Sequence, residues 1–304
     1  MGFRLKREAI ALASAALAAG SLGCSGTGDG GTGDPRSEPR ADLYGDGARI
    51  SEINGEATWY DENDVDSQSC DKPADRRVNL TGQVIVALDR YDETGEGATG
   101  NIYVQDARAP GEVALPYSGM TVFGPAFTPP NLRLFEGDVV DTFGTFLEFL
   151  GPTSGPFGNC KTLPEVTGTM SFRFEGALAE PHLLVPSAGD NTRWDPLKSY
   201  QAARPWLGML VKIENVTAAR APFEGNGRYS VDIDVGGGIL QSDIPRISNE
   251  LYDIKTRGPE IVQGTQFRSV TGVLTYFYGF KIAPRSSYDG VDNPHGLIAT
   301  PDGE

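Results

Sequence analysis

The chain has 304 residues, with 26 Lys and Arg against 41 Asp and Glu, a formal net charge of −15 and 39% apolar side chains. That is enough for one large or two modest folded domains, and it lies well above the disordered range. Broad negative charge argues against a generic polyanion binder, and two histidines leave little for His-based chemistry.

Residues 1–8 are basic, and residues 9–20 form an apolar run without charge. That run is too short to cross a bilayer core, which needs about 20 residues, and it fits a secretory h-region. Ser21-Leu22-Gly23-Cys24 follows. It resembles a bacterial lipobox, with Ser21 in place of the usual Leu; the alternative is an ordinary signal peptide with a chance Cys. The resemblance implies a signal peptide over 1–23 and lipidation of Cys24, hence stable anchoring to a membrane. Ser25 after the Cys favours the outer membrane of the bacterial cell envelope. Removing the leader leaves 23 basic against 40 acidic side chains, net −17. Residues 24–47 are Gly, Asp, Pro and Ser with almost nothing apolar, which reads as a flexible tether.

From residue 48 onward β patterns dominate. Residues 78–86, 101–105, 121–123 and 138–147 form one set of strands. Residues 209–213, 229–235 and 267–277 form a second, with Gly and Pro clusters between strands at barrel-like spacing. Asp195 as N-cap and Pro196 at the first position predict one short helix over 195–203. The segment 137–149 (GDVVDTFGTFLEF) echoes 264–277 (GTQFRSVTGVLTYF), each with a mid-strand Gly, as expected of a bend in a small closed barrel. The predicted organisation is a first barrel with an N-terminal extension over 48–170 and a connector over 171–204. A second barrel over 205–290 and a tail over 291–304 complete it.

Arg49-Ile50-Ser51-Glu52-Ile53-Asn54-Gly55, Thr81-Gly82-Gln83-Val84, Asn101-Ile102-Tyr103-Val104-Gln105-Asp106 and Gly137-Asp138-Val139-Val140 follow in order. They resemble successive strands of the OB-fold region that precedes the catalytic domain in bacterial extracellular nucleases. Gly208-Met209-Leu210-Val211, Gly227-Arg228-Tyr229 and Val270-Thr271-Gly272-Val273-Leu274-Thr275-Tyr276 continue the likeness, which spans residues 49–290. The resemblance implies an all-β protein of two tandem OB-fold-like small β-barrels with little helix. The nuclease domain that follows in those enzymes has no counterpart before Glu304, so no catalytic activity is expected.

With Cys24 set aside, Cys70 and Cys160 form an even pair, expected as a disulfide in an oxidising compartment; a metal pair is the alternative, without close Cys or His neighbours. His182 and His295 stand outside any recognisable catalytic or metal-binding pattern. Asp61, Asp64 and Asp66 lie in the densest acidic run and are weak calcium candidates, lacking the Gly and distal Glu of an EF-hand loop; a solvated acidic loop is the plainer reading. No cofactor is expected. Tyr276, Tyr278, Phe280, Lys281 and Arg285 make the most aromatic stretch. Strand alternation would put the three aromatics on one face and Phe277 on the other. Such a face could stack bases or sugars beside the cations, or could be core packing. Residues 205–290 hold nine basic and nine acidic side chains, whereas 70–165 hold seven against thirteen. The second barrel is therefore the better candidate for nucleic acid or glycan. Two roles remain level: capture of an extracellular ligand on the second barrel, and a protein-interaction or assembly subunit of an envelope complex.

Overall fold

The structure, a computed structural model, describes residues 47–61, 70–95, 99–109, 111–124, 133–152, 157–177, 180–185, 195–225, 227–236, 244–285 and 297–299. Five strands form a closed barrel: β1 (Arg76–Leu88), β2 (Ile102–Asp106), β3 (Gly119–Val122), β4 (Asp138–Phe149) and β5 (Leu163–Gly176). They run in the order β1-β2-β3-β5-β4, and β4 pairs with β1 to close the ring. The β3–β5 pair is parallel, and the other pairs are antiparallel. Leu80, Ile85, Ile102, Val104, Met120, Val140, Val166 and Met170 point inward and make the barrel core. The second half of β1 is buried on both faces. Its outward residues Val84 and Val86 pack with Leu210, Leu251, Val273 and Ala283 of the second half of the chain. That double burial is why 84–88 reads as an unbroken apolar run.

The second half is one large sheet. Its strands are β6 (His182–Leu183), β7 (Leu210–Thr217), β8 (Phe223–Gly225), β9 (Arg228–Asp232), β10 (Arg246–Ser248), β11 (Gln266–Tyr276), β12 (Phe280–Ala283) and β13 (Leu297–Ala299). The order is β6-β7-β11-β12-β10-β9-β8, with β13 also on β11. A single bridge, Ala218 to Ile233, joins the ends of β7 and β9. With β6, β8 and β13 set aside, the order of the remaining five repeats that of the first barrel, including a parallel pair, β10 with β12. The two echoing segments are β4 and β11, which hold the same place in this order. Their mid-strand glycines serve a close approach. A Cβ on Gly144 would sit 2.1 Å from the Thr167 carbonyl oxygen, and one on Gly272 would sit 2.5 Å from the Ala283 backbone.

Several expectations are corrected. The segment 49–55 is no strand: Ile50–Ile53 form a helical turn, α1. Asp106 at the end of β2 fixes it, accepting from the Ile50 and Ser51 amides at 2.7 and 3.0 Å. The single helix over 195–203 is two pieces. A 3-10 turn, Asp195–Leu197, precedes α2 (Tyr200–Ala203), because Ser199 is extended and caps α2 by accepting from the Ala202 amide at 3.2 Å. A third short helix, α3 (Ile254–Arg257), precedes β11. The region read as a connector is built into the fold: β5 continues to Gly176, β6 pairs with β7, and Leu184, Leu197 and Tyr200 are core residues.

The two halves meet through polar anchors as well as apolar packing. Arg204, following α2, is 1% exposed. It donates to the Gly55 carbonyl at 2.8 Å, Glu148 of β4 at 2.7 Å, the Tyr200 hydroxyl at 2.9 Å and Asn54 Oδ1 at 3.2 Å. Its guanidinium lies over the Trp59 ring, 5.0 Å from the centroid. Arg285 donates to the Val86 carbonyl at 2.9 Å.

Candidate functional site

A cavity of about 450 Å³ lies between the barrel and the second sheet. Its floor follows from strand register. Tyr103 of β2 is opposite Thr121 of β3, and Thr121 is opposite Glu165 of β5. Their neighbours Ile102, Val104, Val122 and Val166 point into the barrel, so alternation sends Tyr103, Thr121 and Glu165 outward. An outward polar row on a small barrel ordinarily meets water. Here the second sheet covers it, leaving Thr121 1% and Glu165 6% exposed. The opposite wall carries Arg228 of β9, Glu250, Thr275 and Tyr276 of β11, and Phe277.

The charges divide into paired and unpaired. Arg228 donates to Glu93 at 3.1 Å, and Glu250 accepts from Lys281 at 2.5 Å and from Thr275 at 3.0 Å. Burial pushes Glu250 upward, but Lys281 and Arg228 outweigh it and hold the carboxyl below its ordinary range. Two carboxyl groups on the wall lack such partners. Glu165 makes no hydrogen bond among the described residues, and burial alone raises it to about 8. Asp89, just past β1, is raised to about 7 by burial and then by Glu93 and Glu250, against hydrogen bonds from the Tyr91 and Asn101 backbone that lower it, and its Oδ1 is unpartnered. The buried Thr121 hydroxyl is unpartnered too. Buried polar groups are ordinarily hydrogen-bonded, so the unpartnered Asp89 Oδ1 and Thr121 Oγ1, beside a Glu165 carboxyl without a hydrogen bond, make this cavity the candidate site.

The raised carboxyls predict a pH dependence. The folded chain keeps protons on Glu165 and Asp89 that the unfolded chain releases near pH 4. Their contribution to stability is therefore full below that range and lost as pH rises through about 7 and 8. Urea unfolding is expected to give a lower free energy at pH 8.5 than at pH 5.5. The fall is up to about 1.4 kcal/mol per pH unit for each group, and Glu165→Gln flattens it. An equally steep fall in Glu165→Gln would remove Glu165 as the source.

The residues singled out in the sequence fall elsewhere than strand alternation places them. β11 ends at Tyr276 and the chain bends over 277–279, with Tyr278 at φ 52°. Alternation stops there, and Tyr276, Tyr278 and Phe280 do not form one outer face. Tyr276 and Phe280 are each 2% exposed, whereas Tyr278 is 41% exposed. Phe157 of the first half packs edge-on against Tyr276, Phe277 and Tyr278, with centroids 5.4–5.6 Å apart. The aromatic stretch is thus a joint between the halves, and Tyr276 also lines the cavity. Lys281 and Arg285 are buried and engaged, with Glu250 and the Val86 carbonyl.

Cys70 and Cys160 are disulfide-bonded. His182 stacks on Trp206 at 3.9 Å, and burial lowers its pKa. Asp61 is exposed, while Asp64, Asp66, His295 and Cys24 lie outside the described residues. Among the described residues no three His, Cys, Asp or Glu side chains are grouped to hold a metal ion. Sequence reasoning missed Asp89, Thr121 and Glu165. The available signal was Glu165 standing between Leu163 and Val166, a charged side chain in an apolar strand context.

No protein-family model, curated protein or solved structure matches the chain.

Proposed function

We propose that this is a lipid-anchored binding protein of the bacterial envelope, built from two OB-fold barrels, whose ligand site is the cavity between them. The repeated strand order with its parallel third–fifth pair supports the OB assignment of both halves. A binding role rather than a catalytic one accords with the absence from the sequence of any recognised nucleophile or His-based motif. The observation that carries the site is a buried Glu165 carboxyl stabilised by no cation or hydrogen bond among the described residues, beside the unpartnered Thr121 hydroxyl on one wall.

Nucleic acid or glycan on the second barrel is less well supported, because the aromatic stretch is committed to the joint. A wall bearing Asp89, Glu93, Glu165 and Glu250 also disfavours phosphate. A labelled single strand is expected not to bind the mature protein at low salt; tight, salt-dependent binding would reinstate that reading. Assembly with an envelope partner is a second reading, favoured by β6 at the end of the sheet with Leu183 and Val185 exposed.

A ligand-observed NMR screen of small fragments tests the cavity. Fragments are expected to bind the wild-type protein and to be excluded by Thr121→Phe, which fills the cavity from its floor. Identical binding profiles would place the site elsewhere. The anchor is tested separately, since no helix among the described residues is long and apolar enough to cross a membrane. Cys24→Ala is expected to move the protein from the membrane fraction to the soluble one. Continued membrane association would exclude the lipid anchor.

A further inference from the structure

We infer that the cavity takes an organic ammonium ligand: an amine whose charged N–H groups meet Glu165, Asp89 and Thr121 and whose apolar stem lies against the aromatic wall. The inference rests on the proposed cavity site and names its ligand class. The first argument is the balance of donors and acceptors. The wall's cations are already committed, Arg228 to Glu93 and Lys281 to Glu250. The groups left over are oxygens: Asp89 Oδ1 and Thr121 Oγ1, which are unpartnered, and the Glu165 carboxyl, which no neighbouring charge or hydrogen bond among the described residues stabilises. Protonated carboxyls and hydroxyls can donate or accept, but once Glu165 and Asp89 give up their protons they only accept, so the partner that matches their ionised forms is a donor, and a cationic one. A polyanion or simple carboxylate supplies the wrong sign.

The second argument is the apolar lining. Phe149, Phe157, Tyr276 and Phe277 face the cavity together with Tyr103. Ring faces attract cations, more strongly where water is excluded. This wall already does so: the Arg228 guanidinium stands 4.5 Å and the Lys281 ammonium 5.0 Å from the Phe277 centroid. Aromatic faces beside carboxyl groups suit an alkyl or aryl ammonium better than a bare metal ion. The described residues agree, since they hold no group of three metal-ligating side chains. A cavity of about 450 Å³ is in the range that encloses a small organic molecule.

Binding is coupled to protons. Burial raises Glu165 to about 8 and Asp89 to about 7. The charged groups around them are Glu93, Glu250, Arg228 and Lys281, with the Tyr103 hydroxyl kept protonated by burial and the surrounding carboxylates. An arriving ammonium keeps its own protons and forms N–H···O bonds to the carboxylates. Any carboxyl proton present is released to solvent. Affinity therefore rises from pH 5.5 to pH 8.

Isothermal titration calorimetry with two pairs of near-isosteres tests this: 1,5-diaminopentane against 1,5-pentanediol, and 2-phenylethylamine against 2-phenylethanol. At pH 8 at least one amine is expected to bind tenfold or more tighter than its alcohol, and at least tenfold tighter than it binds at pH 5.5. The heat should differ between phosphate and Tris by the number of protons released times the difference between the two buffers' protonation enthalpies. Glu165→Gln, and independently Asp89→Asn, should each weaken amine binding tenfold or more with the thermal midpoint retained. If alcohols bind as tightly as amines and Thr121→Phe excludes both, the ammonium assignment is overturned and the cavity site stands. If Thr121→Phe leaves amine binding and the fragment profile unchanged, or if no fragment of any charge binds, both readings fall.

Discussion

Arg204→Met is expected to destabilise the protein by about 3–5 kcal/mol, the range for breaking a buried ion pair on one side. Arg204 reaches three parts of the fold at once: Asn54 and Gly55 of the N-terminal segment, Glu148 of β4, and Tyr200 of α2. Methionine roughly keeps the volume and removes every donor. Among the described residues Glu148, 3% exposed, then keeps only the Thr162 hydroxyl, at 2.7 Å. The loss would appear as a lower urea midpoint, and as a thermal midpoint reduced by about 2–4 °C per kcal/mol. Adding Glu148→Met is expected to recover much of the loss, since replacing both buried charges by apolar groups is often close to neutral. The coupling between the two sites, read from the double-mutant cycle, then exceeds about 1 kcal/mol. A single-variant cost under that figure would mean the pair is hydrated and does not hold the halves together.

The second large effect belongs to the disulfide. Cys70 precedes β1 and Cys160 lies between β4 and β5, a separation of 90 residues. Closing a loop of that size restricts the unfolded chain by about 4–5 kcal/mol in the chain-entropy account. Cys70→Ser with Cys160→Ser is expected to lose that much and to steepen the urea dependence, because the opened unfolded chain exposes more surface. Reduction with dithiothreitol under native conditions should give the same midpoint as the double variant. No shift on either treatment would show that the barrel closes without the bond. The two predictions share a residue: the Trp59 indole donates to the Cys160 carbonyl at 3.2 Å and its ring lies under Arg204. Combining Arg204→Met with the cysteine changes is therefore expected to cost less than the sum.

Strand positions were largely legible, and what escaped did so for identifiable reasons. β1, β2, β4, β7 and β11 carry β-branched or aromatic runs long enough to read. β5 did not, because Pro164 and Gly168 interrupt its apolar pattern and Glu165 and Arg173 add charge to it. Its place is set by pairing with β4 along nearly its whole length. The 49–55 segment looked extended and turns helical because Asp106 supplies acceptors for its first amides. The aromatic stretch misled by the same logic: alternation holds only while the strand continues, and the bend after Tyr276 ends it.

The order of β patterns and the Cys70 and Cys160 pair pointed to a mostly β fold and to the disulfide that the structure shows, because periodicity and cysteine count are local properties of the chain. The site is not local. Tyr103, Thr121 and Glu165 sit on the outward side of their strands, where the pattern alone says solvent. Only the docking of the second sheet removes water from that row and leaves the Thr121 hydroxyl without a partner. The charge of −15 says little by itself, since exposed carboxylates are hydrated and inert. Among the described acids, burial beside the cavity's aromatic rings raises Asp89 and Glu165 to about 7 and 8, and burial is decided by the packing of one half on the other.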